Sequence, residues 1–210
     1  MGTGGNRDTN YRVAYNKFWQ DVKKRNPEEI TAARRITYNK ETEEFTVRYF
    51  GEEYLLDSHQ ETIYRKKDGK VPDIMDAIII LNYLAYAQLL PETEPRWVSI
   101  KEIPGCMIFY SAFQKTALMP LIQAFGKRPE ALVEVAPKFG GAKAQFGDAS
   151  AVFQAFPEIP LCVVVWAGDE EVPANATILY DSSIGPMLHG ESIIGLGMTL
   201  ANRLCRQVKG

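Results

Sequence analysis

Leu161-Cys-Val-Val-Val-Trp-Ala167, the loop Gly168-Asp-Glu-Glu-Val-Pro173 and Thr177-Ile-Leu-Tyr-Asp181 decide the fold. The first run is short, β-branched and continuous, the pattern of a strand buried on both faces at the centre of a sheet. The second run is its expected neighbour across the loop. Downstream, a helix is predicted from about Glu191 to Gln207. Upstream, Glu44-Phe-Thr-Val-Arg-Tyr and Glu53-Tyr-Leu-Leu56 flank Gly51 as a hairpin, and a helix is predicted from Pro72 to Leu90, stopped by Pro91.

Further predicted elements fill the intervals. Tyr11, Ala14, Tyr15, Phe18 and Val22 have helical spacing, ending near Arg25-Asn26-Pro27. Thr31 to Thr37 reads equally as a short helix or a strand. After the Pro104-Gly105 turn, Cys106–Tyr110 reads as an apolar strand, Ser111–Phe125 as a helix in which Pro120 starts a new turn or makes a kink, and Arg128–Pro137 as a short helix. Strands and helices mix without regular alternation. The expected class is α+β, with a mixed, mainly antiparallel sheet flanked by helices in a single domain over residues 10–210. Residues 1–9 read as a disordered N-terminus or a remnant of expression.

The 210 residues carry a net charge of −2, which removes the electrostatic pull of nonspecific nucleic-acid binding. Residues 1–105 hold 33 charged side chains and residues 106–210 hold 17. The first half therefore reads as the solvated flank and the second as the buried centre. The most apolar stretch, Ile74–Leu90, is interrupted by Asp76, Asn82 and Gln88 and is shorter than a membrane span. No secretory h-region precedes it, and the three cysteines, Cys106, Cys162 and Cys205, form no paired or C-x-x-C pattern. A cytoplasmic protein is expected.

Standard catalytic signatures are missing. Gly190-Glu-Ser-Ile-Ile-Gly195 lacks the Lys-Ser/Thr of a phosphate loop, and Ser150 is not in a Gly-x-Ser-x-Gly turn. Cys162 lies within an apolar strand, where a thiol is inert. Asp169-Glu-Glu and Arg65-Lys-Lys-Asp-Gly-Lys70 read as solvated turns. Asp148 and Asp181 flank the central strands and could orient a ligand; Asp148 reads equally as a helix N-cap before Ala149-Ser-Ala-Val-Phe, with Ser192 or Gly190 as the cap of the last helix. No residue is assigned as catalytic.

Two histidines remain. His189, with Met187, lies in a loop before the last helix, where it could approach a bound metal. His59 lies in Asp57-Ser-His-Gln-Glu-Thr62, which resembles the Asp-x-His-x-x-Gly motif of cobalamin-dependent methyltransferases, with Thr62 in place of the glycine. Gly195 and Gly197 each cost about 1 kcal/mol in a helix interior. The missing Cβ serves either close packing of the helix on the sheet or a flat face for a planar ligand.

Three segments carry a family resemblance: Pro95-Arg-Trp-Val-Ser-Ile-Lys-Glu-Ile-Pro-Gly105; Phe139-Gly-Gly with Gly147-Asp-Ala-Ser150; and Phe156 through the two decisive strands to Asp181. Together they resemble the domain of unknown function 3786 family of anaerobic bacteria and archaea, over most of residues 10–207. The resemblance implies an association with corrinoid metabolism, since members can carry an iron–sulfur domain like that of the corrinoid iron–sulfur protein. Where a Leu-Pro-x-Glu-Asp-like run is expected, this chain has Leu188-His-Gly-Glu-Ser192.

The expectation is a carrier or chaperone for a corrinoid (cobalamin), or alternatively haem, in anaerobic one-carbon or dehalogenation metabolism. His189 is the first axial ligand to the metal and His59 the second, with Met187, Gly195, Gly197, Trp166 and Tyr180 lining the ligand. Two rivals stand beside it. One is an enzyme on a small anionic metabolite using Asp148, Asp181 or His189 as acid or base. The other is an interaction module for a corrinoid-dependent methyltransferase or a reductive enzyme. No nucleic acid or membrane is expected as a partner.

Overall fold

The computed structural model describes residues 4–90, 94 and 96–208. Helices α1 (Gly4–Lys23) and α2 (Pro27–Ala33) lead into a four-stranded meander of β1 (Thr37–Asn39), β2 (Glu44–Tyr49), β3 (Glu52–Asp57) and β4 (Thr62–Arg65). The buried helix α3 (Ile74–Ala85) follows, then β5 (Trp97–Ser99), α4 (Tyr110–Phe113), α5 (Met119–Phe125) and α6 (Glu130–Val135). The chain continues through β6 (Ala142–Lys143), β7 (Ala149–Phe156), β8 (Ile159–Trp166) and β9 (Asn175–Asp181) to α7 (Gly190–Arg206).

This is an α+β fold with two antiparallel sheets instead of one. The second is ordered β5–β9–β8–β7–β6, so the decisive strand β8 is central and β9 is its neighbour. Leu161 to Val165 are buried without a break, as a strand covered on both faces requires. Aromatic side chains join the sheets: Tyr83 of α3 stacks on Phe156 of β7 at 4.0 Å, and Tyr49 of β2 tilts onto Phe156 at 5.0 Å. The Phe50 amide also donates to the Ala155 carbonyl at 2.9 Å.

Turn chemistry sets the meander. Phe50 and Gly51 take positive φ of 46° and 79°, the left-handed pair that a tight two-residue hairpin demands. The β1–β2 and β3–β4 turns are built alike. Asn39 Oδ1 accepts from the Glu41 and Thr42 amides, and Asp57 Oδ1 accepts from those of His59 and Gln60. Each turn ends on a left-handed glutamate, Glu43 or Glu61, with φ of 55°.

Several expectations are corrected. Helix α3 starts at Ile74, because the Asp73 carboxylate caps the Asp76 amide at 3.0 Å, and it stops at Ala85 instead of Leu90. Pro91, expected to stop it, lies outside the described residues. Cys106–Tyr110 is a short 3₁₀ turn running into α4. Cys106 is buried there while Met107 and Ile108 face outward, so the run has no strand face to bury. Ala149–Phe153 is strand β7, and the Asp148 carboxylate accepts from the Ala167 amide at 2.7 Å. The first half is not merely a solvated flank, since α3 is buried from Asp76 to Leu84. Helix α1 begins at Gly4, and residues 1–3 lie outside the described ones. Thr31–Thr37 divides between the end of α2 and the start of β1. Pro120 lies just after a π-helical turn at Gln114–Leu118 that separates α4 from α5, which absorbs the ring where a regular helix would clash.

Candidate functional site

Asp76 interrupts the apolar sequence of α3 and organises a polar cluster. Its carboxylate accepts from the Tyr49 hydroxyl at 2.8 Å, the Thr199 hydroxyl at 3.1 Å and the Arg203 guanidinium at 2.7 Å. Thr199 and Arg203 stand four residues apart on one face of α7. The guanidinium also lies 5.3 Å from the Tyr49 ring and 4.8 Å from that of Phe50. Burial works against the charge on Arg203, but Asp76 and Tyr49 outweigh it and raise its pKa. Burial, then the Asp76 charge, pushes the Tyr49 phenol well up, so it stays a hydrogen-bond donor.

Outward from this floor opens a cleft of about 280 Å³ between the β4–α3 connection and the last turns of α7. Tyr54, Val71 and Pro72 give it an apolar side, while Arg65, Lys70, Asn202 and Arg206 present polar groups. Arg65 is held by Asp68, whose own pKa that hydrogen bond lowers to about 2. Lys70 is exposed and 3.9 Å from Asp68, and Arg206 has no ion pair among the described residues. Four cations and two carboxylates, Asp73 and Asp76, therefore line a cleft on a chain whose net charge is −2. With Arg203 paired to Asp76 and Arg65 to Asp68, Lys70 and Arg206 are the cations left to meet an anion.

Sequence reading missed this site. Arg65-Lys-Lys-Asp-Gly-Lys70 looks like any solvated turn, and Arg203 and Arg206 look like ordinary charges at a helix C-terminus. The one available signal was Asp76 itself, because a carboxylate inside an apolar helix needs a buried partner.

The residues expected around a corrinoid are placed differently. His189 occupies the N-cap position of α7, where Ser192 or Gly190 was expected; its amide donates to Asn82 Oδ1 at 2.9 Å. Its exposed ring rests against Phe18 at 5.8 Å and Tyr86 at 4.2 Å. Burial first, then Lys17, lowers its pKa. The cavity it lines is only about 60 Å³, against the roughly 300–1,000 Å³ of ligand pockets. His59 is exposed at the β3–β4 turn, where Asp57 serves the turn amides. Met187 is buried.

The glycine faces are filled by the protein itself. A Cβ on Gly195 would stand 2.8 Å from the Met75 sulfur, and one on Gly197 would run into the Tyr180 hydroxyl and stand 2.8 Å from the Phe113 ring. Tyr180 is buried, and its hydroxyl donates to the Ile193 carbonyl at 3.4 Å. Trp166 is half-exposed opposite Asn175, while Tyr180 lies five residues along β9, about 17 Å away by strand rise. Gly195 and the small His189 cavity share Met75, and Gly197 packs on Tyr180, whereas Trp166 lies at the other end of β9 from Tyr180. Among the described residues no group of three or more His, Cys, Asp or Glu could hold a metal.

The acid–base set is likewise dispersed: Asp148 serves Ala167, and Asp181 accepts from the Ser183 amide at 2.9 Å. Burial raises the Cys162 thiol to about 11, in keeping with an inert core cysteine. No helix among the described residues is long and apolar enough to cross a membrane.

No curated protein and no solved structure matches the chain. A family model described as "Domain of unknown function (DUF3786)" matches residues 26–203, a span that holds every cleft residue named above except Arg206 and leaves α1 outside. By that match over most of its length, the chain belongs to the domain of unknown function 3786 family.

Proposed function

We propose that the protein binds a small anionic molecule in the cleft between the β4–α3 connection and α7. The observation that carries this reading is the Asp76–Arg203 pair in the floor, its carboxylate buried and its guanidinium part-buried, with the less committed cations Lys70 and Arg206 at the mouth. The pair fixes α7 against α3 and the hairpin, so the wall that carries Arg206 is held in place. Rigid presentation lowers the ordering cost of binding. The corrinoid and haem reading puts its first metal ligand, His189, on a cavity of only about 60 Å³, and it is carried as a competing arm of the test.

Thermal unfolding in the presence of inorganic phosphate, sulfate, citrate and succinate tests the proposal. A ligand at a hundred times its Kd adds about 2.7 kcal/mol, which for a chain of this size raises Tm by several degrees. We expect at least one anion to do so in the wild type and to lose the effect in Lys70→Ala/Arg206→Ala. Cob(II)alamin and haem are titrated in parallel by visible absorbance. Saturable binding of a tetrapyrrole, with no response to any anion, would overturn the proposal.

A further inference from the structure

We infer that the anion is a phosphate monoester whose organic part lies along Val71 and Pro72; this rests on the anion-binding reading above. Three features of the cleft point there. First, its cations come from opposite walls: Lys70 from the β4–α3 connection, Arg203 and Arg206 from α7. A tetrahedral phosphate directs oxygens to both walls at once, whereas a planar carboxylate presents its two oxygens in one plane. Second, Arg65 and Arg203 are held by Asp68 and Asp76, while Lys70 makes only a 3.9 Å approach to Asp68 and Arg206 has no ion pair among the described residues, so these two cations can turn to a dianion. Third, the mouth is not polar throughout. Val71 is 78% exposed beside the part-buried Pro72, an apolar shelf at the mouth. Inorganic phosphate alone would leave that shelf unused.

The volume agrees with a small ligand. At about 280 Å³ the cleft is just below the usual range for pockets that hold drug-sized molecules. The remaining carboxylate at the mouth, Asp73, spends Oδ1 on the Asp76 amide and leaves Oδ2 to accept from a hydroxyl of the organic part. The titratable and charged groups facing the cleft are Tyr54, Arg65, Lys70, Asp73, Asp76, Arg203 and Arg206, with no histidine among the lining residues. The second ionisation of a phosphate monoester lies near pH 6. Affinity should therefore fall with acidification as the ligand loses charge.

Calorimetric titration of the full chain with phenyl phosphate, inorganic phosphate, benzoate and succinate tests this, at about pH 7.5 and pH 5.5. We expect phenyl phosphate to bind most tightly and to weaken severalfold at the lower pH. Arg206→Ala or Lys70→Ala should weaken it about tenfold, and Val71→Ser should erase its advantage over inorganic phosphate. These side chains are exposed, so the variants are expected to fold. Equal binding of phenyl and inorganic phosphate would overturn the monoester assignment and leave anion binding standing. Carboxylates binding as tightly as the phosphates, with no pH dependence, would overturn the phosphate class alone. Silence from all four ligands would remove both readings.

Discussion

At the scale of single residues, Asp76 decides more than any other side chain. It is 5% exposed, and three hydroxyl or guanidinium donors from β2 and α7 converge on it. Removing one partner of a buried pair strands the other charge, which typically costs about 3–5 kcal/mol, whereas replacing both by apolar groups is often neutral. We expect Asp76→Ala to lose that much stability in urea denaturation and Asp76→Leu/Arg203→Met to lose markedly less. Equal losses would mean that the pair contributes no coupled term. The two glycines of α7 offer a second contrast. Gly197→Ala meets a buried phenol and a phenyl ring, with no flexible neighbour to yield, and should cost about 1–3 kcal/mol by overpacking. Gly195→Ala meets mainly the Met75 thioether, which can swing aside, so gained helix propensity of about 1 kcal/mol offsets most of its clash. Comparison of the two midpoints checks that order.

Among elements, α3 shows why a boundary can escape sequence reading. Its apolar run continues past Ala85, yet two arginines from outside the helix take its terminal carbonyls. Arg25 donates to Ala85 at 2.9 Å and also to Ala87, while Arg34 donates to Tyr86 at 3.3 Å and Gln88 at 3.0 Å. Cations at a helix C-terminus satisfy its orphan carbonyls and oppose its dipole. Arg34 is buried, so Arg34→Met should cost about 1.5–3 kcal/mol in the same denaturation assay. Elements set by local pattern were legible: β8 from its β-branched run, β9 from its position after the loop, α7 from its spacing and the hairpin from Gly51. Elements set by distant partners were not. Strand β7 was hidden because Asp148 has the chemistry of a helix cap, and the Asp57–His59 stretch carries a motif likeness that its turn geometry explains by itself. The cleft was illegible for the same reason: residues 65–76 and 199–206 meet only through the packing of α7 on α3 and the hairpin.

For the whole molecule, a net charge of −2 conceals a local arrangement of opposite sign. The sheets are tied by the Tyr49–Phe156–Tyr83 contacts, and the Asp76 cluster ties the first sheet to α3 and α7, so the cleft walls form part of the same packed body. Lining residues from 54–76 and from 199–206 are thereby joined through one packed interface, the arrangement that pre-organised binding requires. The most direct measurement is a ¹⁵N-resolved chemical-shift titration of the full chain with phenyl phosphate. We expect saturable shifts concentrated in residues 65–76 and 199–206 and abolished in Lys70→Ala/Arg206→Ala. Shifts centred instead on His189, His59 or Trp166, or no shifts at all, would contradict the assignment of the cleft as the ligand site.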